Sequence, residues 1–219
     1  MNAKIQRMTT LAVLSAIAYL VMTMLRIKFI PGADFLTLDV KDVVIVTGGF
    51  FYGPLASMMM SLVISFLEMV TVSSTGWWGM LMNTLSSCAF ACSAAFLYER
   101  KRTIHNAVTG LVTGWLLATA TMLLLNYIIT PIYTGWPRQA VVGKMLPWFL
   151  PFNLIKYGVN AAVALLIYKP LVTALRRAHL LPTPDVHAGS GKINRGVMLA
   201  AALSLVTLAL IILAYKGVI

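Results

Sequence analysis

The hydrophobic pattern divides the chain into long apolar runs separated by short polar segments. The first run covers about residues 8–25 and follows Lys4 and Arg7. A polar-apolar segment, 26–41, comes next and holds Pro31, Gly32, Asp34, Asp39 and Lys41. Asp42 opens a shorter run, 43–52, which contains Gly48 and Gly49 and is broken by Gly53 and Pro54. Further runs cover about 55–72, 80–97, 107–129 and 148–168, and the last covers 197–214. A helix needs about 20 apolar residues to cross the hydrocarbon core of a bilayer, and most of these runs approach that length. The second run is too short for a full span and predicts a short or tilted helix buried among the others. Only helices and closed barrels satisfy their backbone in lipid, and runs this long exclude barrel strands. The pattern therefore predicts an all-α membrane protein. Residues 1–180 form a six-helix core, 181–194 a Pro/Gly/Ser linker, and 195–219 a seventh transmembrane helix with little polar character.

The connecting segments carry their own signals. The stretch 71–79, with Thr75, Trp77 and Trp78, reads as a loop with interfacial tryptophans. Pro131, Gly135 and Pro137 read as a loop after the fifth run, with Arg138 and Lys144 in it. Lys169 and Pro170 read as the start of an amphipathic tail. The first run is too long for the core of a signal peptide, and no small-residue cleavage site follows it.

Composition agrees with a membrane protein: 60% of residues are hydrophobic and 11% charged, against about 45–50% and 25% in soluble domains. The net charge of +11 does not imply nucleic acid, because the basic residues gather at the ends of apolar runs. That distribution encodes orientation in a bilayer. With the N-terminus cytoplasmic, ten Lys and Arg fall inside, six outside, and Lys156 within the membrane. Cys88 and Cys92 have no His or further Cys nearby and read as packing residues.

Polar residues inside the apolar runs are costly unless they face a cavity, a partner or a ligand. Asn153, Lys156 and Asn160 stand at i, i+3 and i+7, on one helical face. Ser61, Ser65 and Glu68 form a similar stripe, and Glu68 is the one acid deep within an apolar run. Asn83, Asn126 and Tyr127 lie near the same ends of their helices. With the orientation above, these residues converge with Asp39, Asp42 and Thr75 on one outward-facing region. The ten residues Asp39, Asp42, Glu68, Thr75, Asn83, Asn126, Tyr127, Asn153, Lys156 and Asn160 are the candidate ligand-binding set. Trp77, Trp78, Trp148 and Phe152 add flat apolar faces. Such a mixture suits a planar heteroaromatic ligand with carbonyls and a polyol arm, although polar contacts between helices would use the same residue types. Ala12 and Ala16 make a small-xxx-small pattern, which permits close helix approach within the chain or to a partner.

The segments FLTLDVKD at 35–42, GGFFYGP at 48–54, TGWWGMLMN at 75–83, LNYIITPIY at 125–133 and PFNLIK at 151–156 occur in a telling order. Through them, residues 5–180 resemble the substrate-binding S components of energy-coupling factor (ECF) vitamin transporters, most closely the riboflavin-specific branch. The resemblance implies a six-helix fold enclosing a vitamin near the extracellular side, with riboflavin as transported ligand and no cofactor. It implies a cell-membrane complex with a transmembrane coupling subunit and two ATP-binding subunits, which hydrolyse the ATP. It places Asn126 and Lys156 against the flavin, makes Asp39 and residues 35–42 a lid, and makes Ala12 and Ala16 the coupling-subunit docking face. A basic residue expected in the third helix is absent; Ser65 stands near its place.

Other readings remain. An S component for another vitamin would need the same architecture. A membrane enzyme acting on a diphosphate lipid could use Asp39 and Asp42 as a magnesium-diphosphate pair. No second acidic pair supports that, and His105, His179 and His187 all fall in cytoplasmic segments. A purely structural subunit would not need Lys156 and Glu68 in the bilayer.

Overall fold

The computed structural model describes residues 3–177 and 195–215. Residues 181–194, read as a linker, lie outside the described residues, as do His179 and His187. Eight α-helices follow one another: α1 Ala3–Met24, α2 Lys41–Tyr52, α3 Pro54–Thr71, α4 Gly76–Arg100, α5 Ile104–Thr134, α6 Arg138–Lys144, α7 Leu150–Arg177 and α8 Arg195–Tyr215. A single π-helical turn, Met145–Phe149, joins α6 to α7. Five helical stretches among the described residues are long and apolar enough to cross a membrane; the last is α6 to α7 taken together.

Helix α2 is the expected short element, with every residue from Lys41 to Phe50 buried. It ends at Gly53, whose φ of +86° only glycine adopts freely, and Pro54 starts α3 where a missing N–H costs nothing. The turn so formed is held to α1 by Arg7, which donates to the Tyr52 carbonyl oxygen at 3.3 Å. Helix α5 starts at Thr103, whose hydroxyl accepts the Asn106 N–H.

Four boundaries differ from the sequence reading. Pro131 does not end the fifth helix; α5 runs to Thr134 and stops at Gly135, a left-handed cap with φ +70°. Proline there removes one hydrogen bond in the last turns, which flanking apolar packing tolerates. Residues 138–149 are helical rather than loop. Trp77 and Trp78 sit in the first turn of α4, so the α3–α4 connection is only 72–75. Pro170 likewise lies inside α7, which continues through the supposed tail to Arg177.

The main apolar core joins α1, α2, α4, α5 and α7 through Leu14, Ile45, Phe90, Leu111 and Tyr157. Close approach of α4 and α5 depends on glycine. A Cβ at Gly110 would meet the Ala94 carbonyl oxygen at 2.8 Å, and one at Gly114 would press on that of Phe90. Gly114→Ala should therefore cost about 1–3 kcal/mol by overpacking. Gly143→Ala, with open space around it, should be near neutral. Thermal unfolding in detergent checks both, and equal midpoints would refute the close-packing argument.

Helix α8 packs on α7, and its Ile212 reaches a second apolar cluster that includes Phe29, Leu36, Phe149 and Phe152.

Candidate functional site

Residues 25–40 form a packed cover over one end of the bundle. Its two arms are tied where Ile27 and Leu38 exchange backbone hydrogen bonds of 2.9 and 2.8 Å. Phe29, Ile30, Ala33, Leu36 and Leu38 are buried against Val141, Phe149, Phe152 and Ile155. Phe35 meets Tyr133 edge-on at 5.8 Å. On the far side, Lys144 lies 3.6 Å from the Trp148 ring centre, a cation–π contact that fixes the π-helical turn.

Beneath the cover lies a cavity lined by Arg26, Phe35, Thr37, Glu68, Asn83, Asn126, Tyr133, Phe152 and Lys156, with Ser73, Ser74 and Thr75 on one wall. Its volume is only about 50 Å³. Drug-sized ligand pockets run to about 300–1,000 Å³, so the cavity as it stands is much smaller than such a pocket. A wider groove, about 480 Å³, separates α5, α7 and α8, but its lining, including Trp115 and Leu165, is largely apolar and carries no charged group. Hydrocarbon suits that groove, whereas the charged groups line the first cavity.

Two ion pairs organise the cavity. Lys156 donates to Asp39 Oδ2 at 3.0 Å, and Lys41 donates to Glu68 Oε2. Asn83 adds a hydrogen bond of 3.0 Å to the same Glu68 oxygen. Arg26 reaches Glu68 Oε1 at 3.5 Å, the Thr37 hydroxyl at 3.1 Å and the Val72 carbonyl at 3.2 Å. It thereby ties the cover to the α3–α4 turn. Glu68, Lys41, Asp39 and Lys156 are all buried, so each charge depends on its partner. Burial pushes the Asp39 carboxyl up, but Lys156 and Lys41 outweigh it and hold it below the usual carboxylate range.

Asn160 joins this layer to α7. Its amide donates to the Asp39 backbone carbonyl at 2.9 Å, and its Oδ1 accepts the Val43 N–H at 3.2 Å. Helix α2 lacks a side-chain cap at its own N-cap residue, so an asparagine from α7 satisfies one of its orphan N–H groups. Asn153 donates to the Phe149 carbonyl at 2.7 Å, while its buried Oδ1 has no partner. Asn126 lines the cavity, donating to the Met122 carbonyl and accepting from Thr130.

Of the ten candidates, Glu68, Thr75, Asn83, Asn126 and Lys156 line the cavity directly. Asp39, Asn153 and Asn160 are not in its lining but are buried; Asp39 and Asn160 bond to Lys156, and Asn153 lies on its helical face. Asp42 is fully buried, with both carboxylate oxygens unpartnered. Tyr127 departs from expectation: it is 41% exposed and lies under Arg138. It neighbours Asn126 in sequence, and successive helical residues point about 100° apart. The exposed Trp77 and Trp78, and Trp148 beneath Lys144, do not line the cavity either. Its aromatic faces come from Phe152, as expected, and from Phe35 and Tyr133. Arg26 and Lys41, taken in the sequence as loop charges, are the cations that Glu68 required. Arg26 comes from the cover and Lys41 from the first turn of α2, and both reach the acid on α3. Ala12 and Ala16 are exposed on α1, opposite its buried Leu14, Ala18 and Met22.

A helical membrane bundle with a covered, charge-lined cavity and several spanning helices defines a multi-pass membrane protein built to bind a solute. Residues 6–168 match the model of the substrate-specific component of ECF transporters, and the chain belongs to that family. It is 32% identical over 180 residues to the riboflavin transporter RibU of Staphylococcus aureus (strain TCH60), covering 78% of this chain and 93% of that one. It is 28% identical to the riboflavin transporter FmnP of Bacillus subtilis (strain 168), covering 81% and 99%. A solved S component of a bacterial ECF transporter superposes with a TM-score of 0.67 at 30% identity, over 80% of this chain and 99% of that one. The chain is thus a binding subunit of an ECF transporter, which works in a complex with other subunits.

Proposed function

We propose that this chain is the riboflavin-binding S component of its transporter. The reading rests on one combination: relatives named riboflavin transporters match most of the chain, and the cavity unites cations, amides, an acid and aromatic faces. Phe35, Tyr133 and Phe152 would stack the isoalloxazine ring. Lys156 and Asn126 would bond its carbonyl oxygens, and Asn153, one turn from Lys156 on the same face of α7, would support that wall. Glu68, Thr75 and Asn83 would bond the ribityl hydroxyls. Asp39 and Asn160 would hold Lys156 in place, and residues 25–40 would open to admit the vitamin. The N-terminus is cytoplasmic and the cover extracellular in this reading, as the basic-residue count favours. ATP hydrolysis lies on two partner subunits, and the vitamin is cargo rather than cofactor. The first 180 residues form the binding unit, and the C-terminal helix is an addition to it.

Vesicles containing the chain with its coupling and ATP-binding partners should accumulate labelled riboflavin when supplied with ATP. Uptake of another vitamin in place of riboflavin would overturn the assignment. The exposed Ala12–Ala16 face of α1 would dock on the coupling subunit. Ala12→Trp should abolish co-purification with that subunit while leaving riboflavin binding unchanged; normal assembly would remove the docking role.

A further inference from the structure

The groove between α5, α7 and α8 has no part in solute recognition, yet its two main walls follow one pattern. Val108, Val112 and Trp115 stand at i, i+4 and i+7 on α5, and Gly158, Ala162 and Leu165 do the same on α7. The polar atoms in the walls are already used. Trp115 Nε1 donates to the Leu154 carbonyl at 2.9 Å. On α8, the Ser204 and Thr207 hydroxyls donate to the Ala201 and Leu203 carbonyls of their own helix at 2.8 and 3.0 Å. The groove therefore offers apolar contact, no free donor and no charge. Small residues usually let helices close on one another in a bilayer, as Gly110 and Gly114 do between α4 and α5. Here α8 packs on α7 but stands off α5, and about 480 Å³ remains between the three helices. An unfilled gap would forfeit dispersion contacts on every wall, which favours an apolar occupant.

The groove runs toward the end of the bundle away from the cover, and that end is basic. Val108 lies in the second turn of α5, and the exposed His105 stands one turn before it on the same stripe. On α7 the stripe continues from Leu165 to Lys169, one turn on. Lys101 and Arg102 are exposed in the short connection that leads into α5, and neither makes an ion pair among the described residues. Glu99, the one acid at this end among the described residues, lies against the Gly53 turn between α2 and α3. No acid therefore offsets the cations at the mouth of the groove.

Apolar walls with a positive rim at one end match the two halves of an anionic phospholipid: the tail lies along the groove and the phosphate meets the cations. We propose that this groove holds an acyl chain of an anionic phospholipid, with its phosphate at the rim marked by Arg102 and Lys169. The lipid fills the space between α8 and α5 and so seats the C-terminal helix on the binding unit. The site is separate from the solute cavity, and its case does not depend on which vitamin that cavity takes.

The test is native mass spectrometry of the purified full-length protein, with no vitamin added. It counts the lipid retained from micelles doped with dioleoyl phosphatidylglycerol or dioleoyl phosphatidylcholine. The native protein should retain one phosphatidylglycerol and prefer it to phosphatidylcholine by about tenfold or more. Each Lys or Arg beside an anionic headgroup is worth roughly fivefold, so Arg102→Gln/Lys169→Gln should erase most of that preference. Ser204→Trp adds bulk to an exposed wall of the groove and should lose the retained lipid. Leu62→Trp, on an exposed face of α3, should retain it as the native protein does. Equal retention of the two lipids, or undiminished retention by Ser204→Trp, overturns the proposal. Should Ser204→Trp fail to fold, Thr207→Phe decides in its place by the same readout. A Ser204→Trp protein that keeps its lipid but no longer co-purifies with the coupling subunit overturns it in favour of a protein partner.

Discussion

Lys156→Ala is expected to weaken riboflavin binding by about 10- to 100-fold, the worth of one charge-assisted hydrogen bond in a dry site. It should also destabilise the fold, because Asp39 would keep a buried charge without its 3.0 Å partner. Breaking such a pair from one side costs about 3–5 kcal/mol. The two effects separate in a double variant. Lys156→Gln/Asp39→Asn removes both charges and should recover most of the stability while the affinity stays low. Flavin-quenching titrations and thermal midpoints, measured on the same preparations, give both numbers. Native affinity in Lys156→Ala would remove it from the binding machinery.

Glu68→Ala should have the largest effect on stability. Glu68 accepts from Lys41, Asn83 and Arg26, so its removal strands a fully buried lysine and releases the cover from α3. A loss of about 3–5 kcal/mol is expected. Glu68→Gln should lose less, since the amide oxygen still accepts from one of the three donors. Removing both charges as Glu68→Gln/Lys41→Met should recover part of the loss, because Lys41 then no longer buries an unpaired charge. Thermal unfolding in detergent checks the series. Equal midpoints for the native protein and Glu68→Ala would show that the network carries no structural weight.

The polar face of α7 was legible because a bilayer makes polar residues conspicuous. Asn153, Lys156 and Asn160 share a helical face, and all three proved buried at the same end of the bundle. Glu68 was conspicuous for the same reason. Its partners were not, because Arg26 and Lys41 lie at the borders of a loop, where a cation normally serves orientation. The folding of residues 25–40 back over the bundle carries Arg26 to Glu68, and the packing of α2 on α3 carries Lys41 there. An acid in an apolar run demands a cation, and the charged loop nearest in sequence was the place to look. Of the aromatic faces, Phe152 lines the cavity as expected, whereas the tryptophans, named from residue type alone, do not. Tryptophan at a helix start favours the interface, whereas Phe35 and Tyr133 became lining through the cover and the extension of α5 past Pro131. That extension was hidden because proline reads as a helix end, while the true stop is the left-handed Gly135.

The central claim is that the cavity under residues 25–40 binds riboflavin. Fluorescence titration of the purified protein with riboflavin tests it most directly. The account predicts saturable, stoichiometric quenching that weakens in Lys156→Ala. Unquenched flavin fluorescence with folded native protein would contradict it.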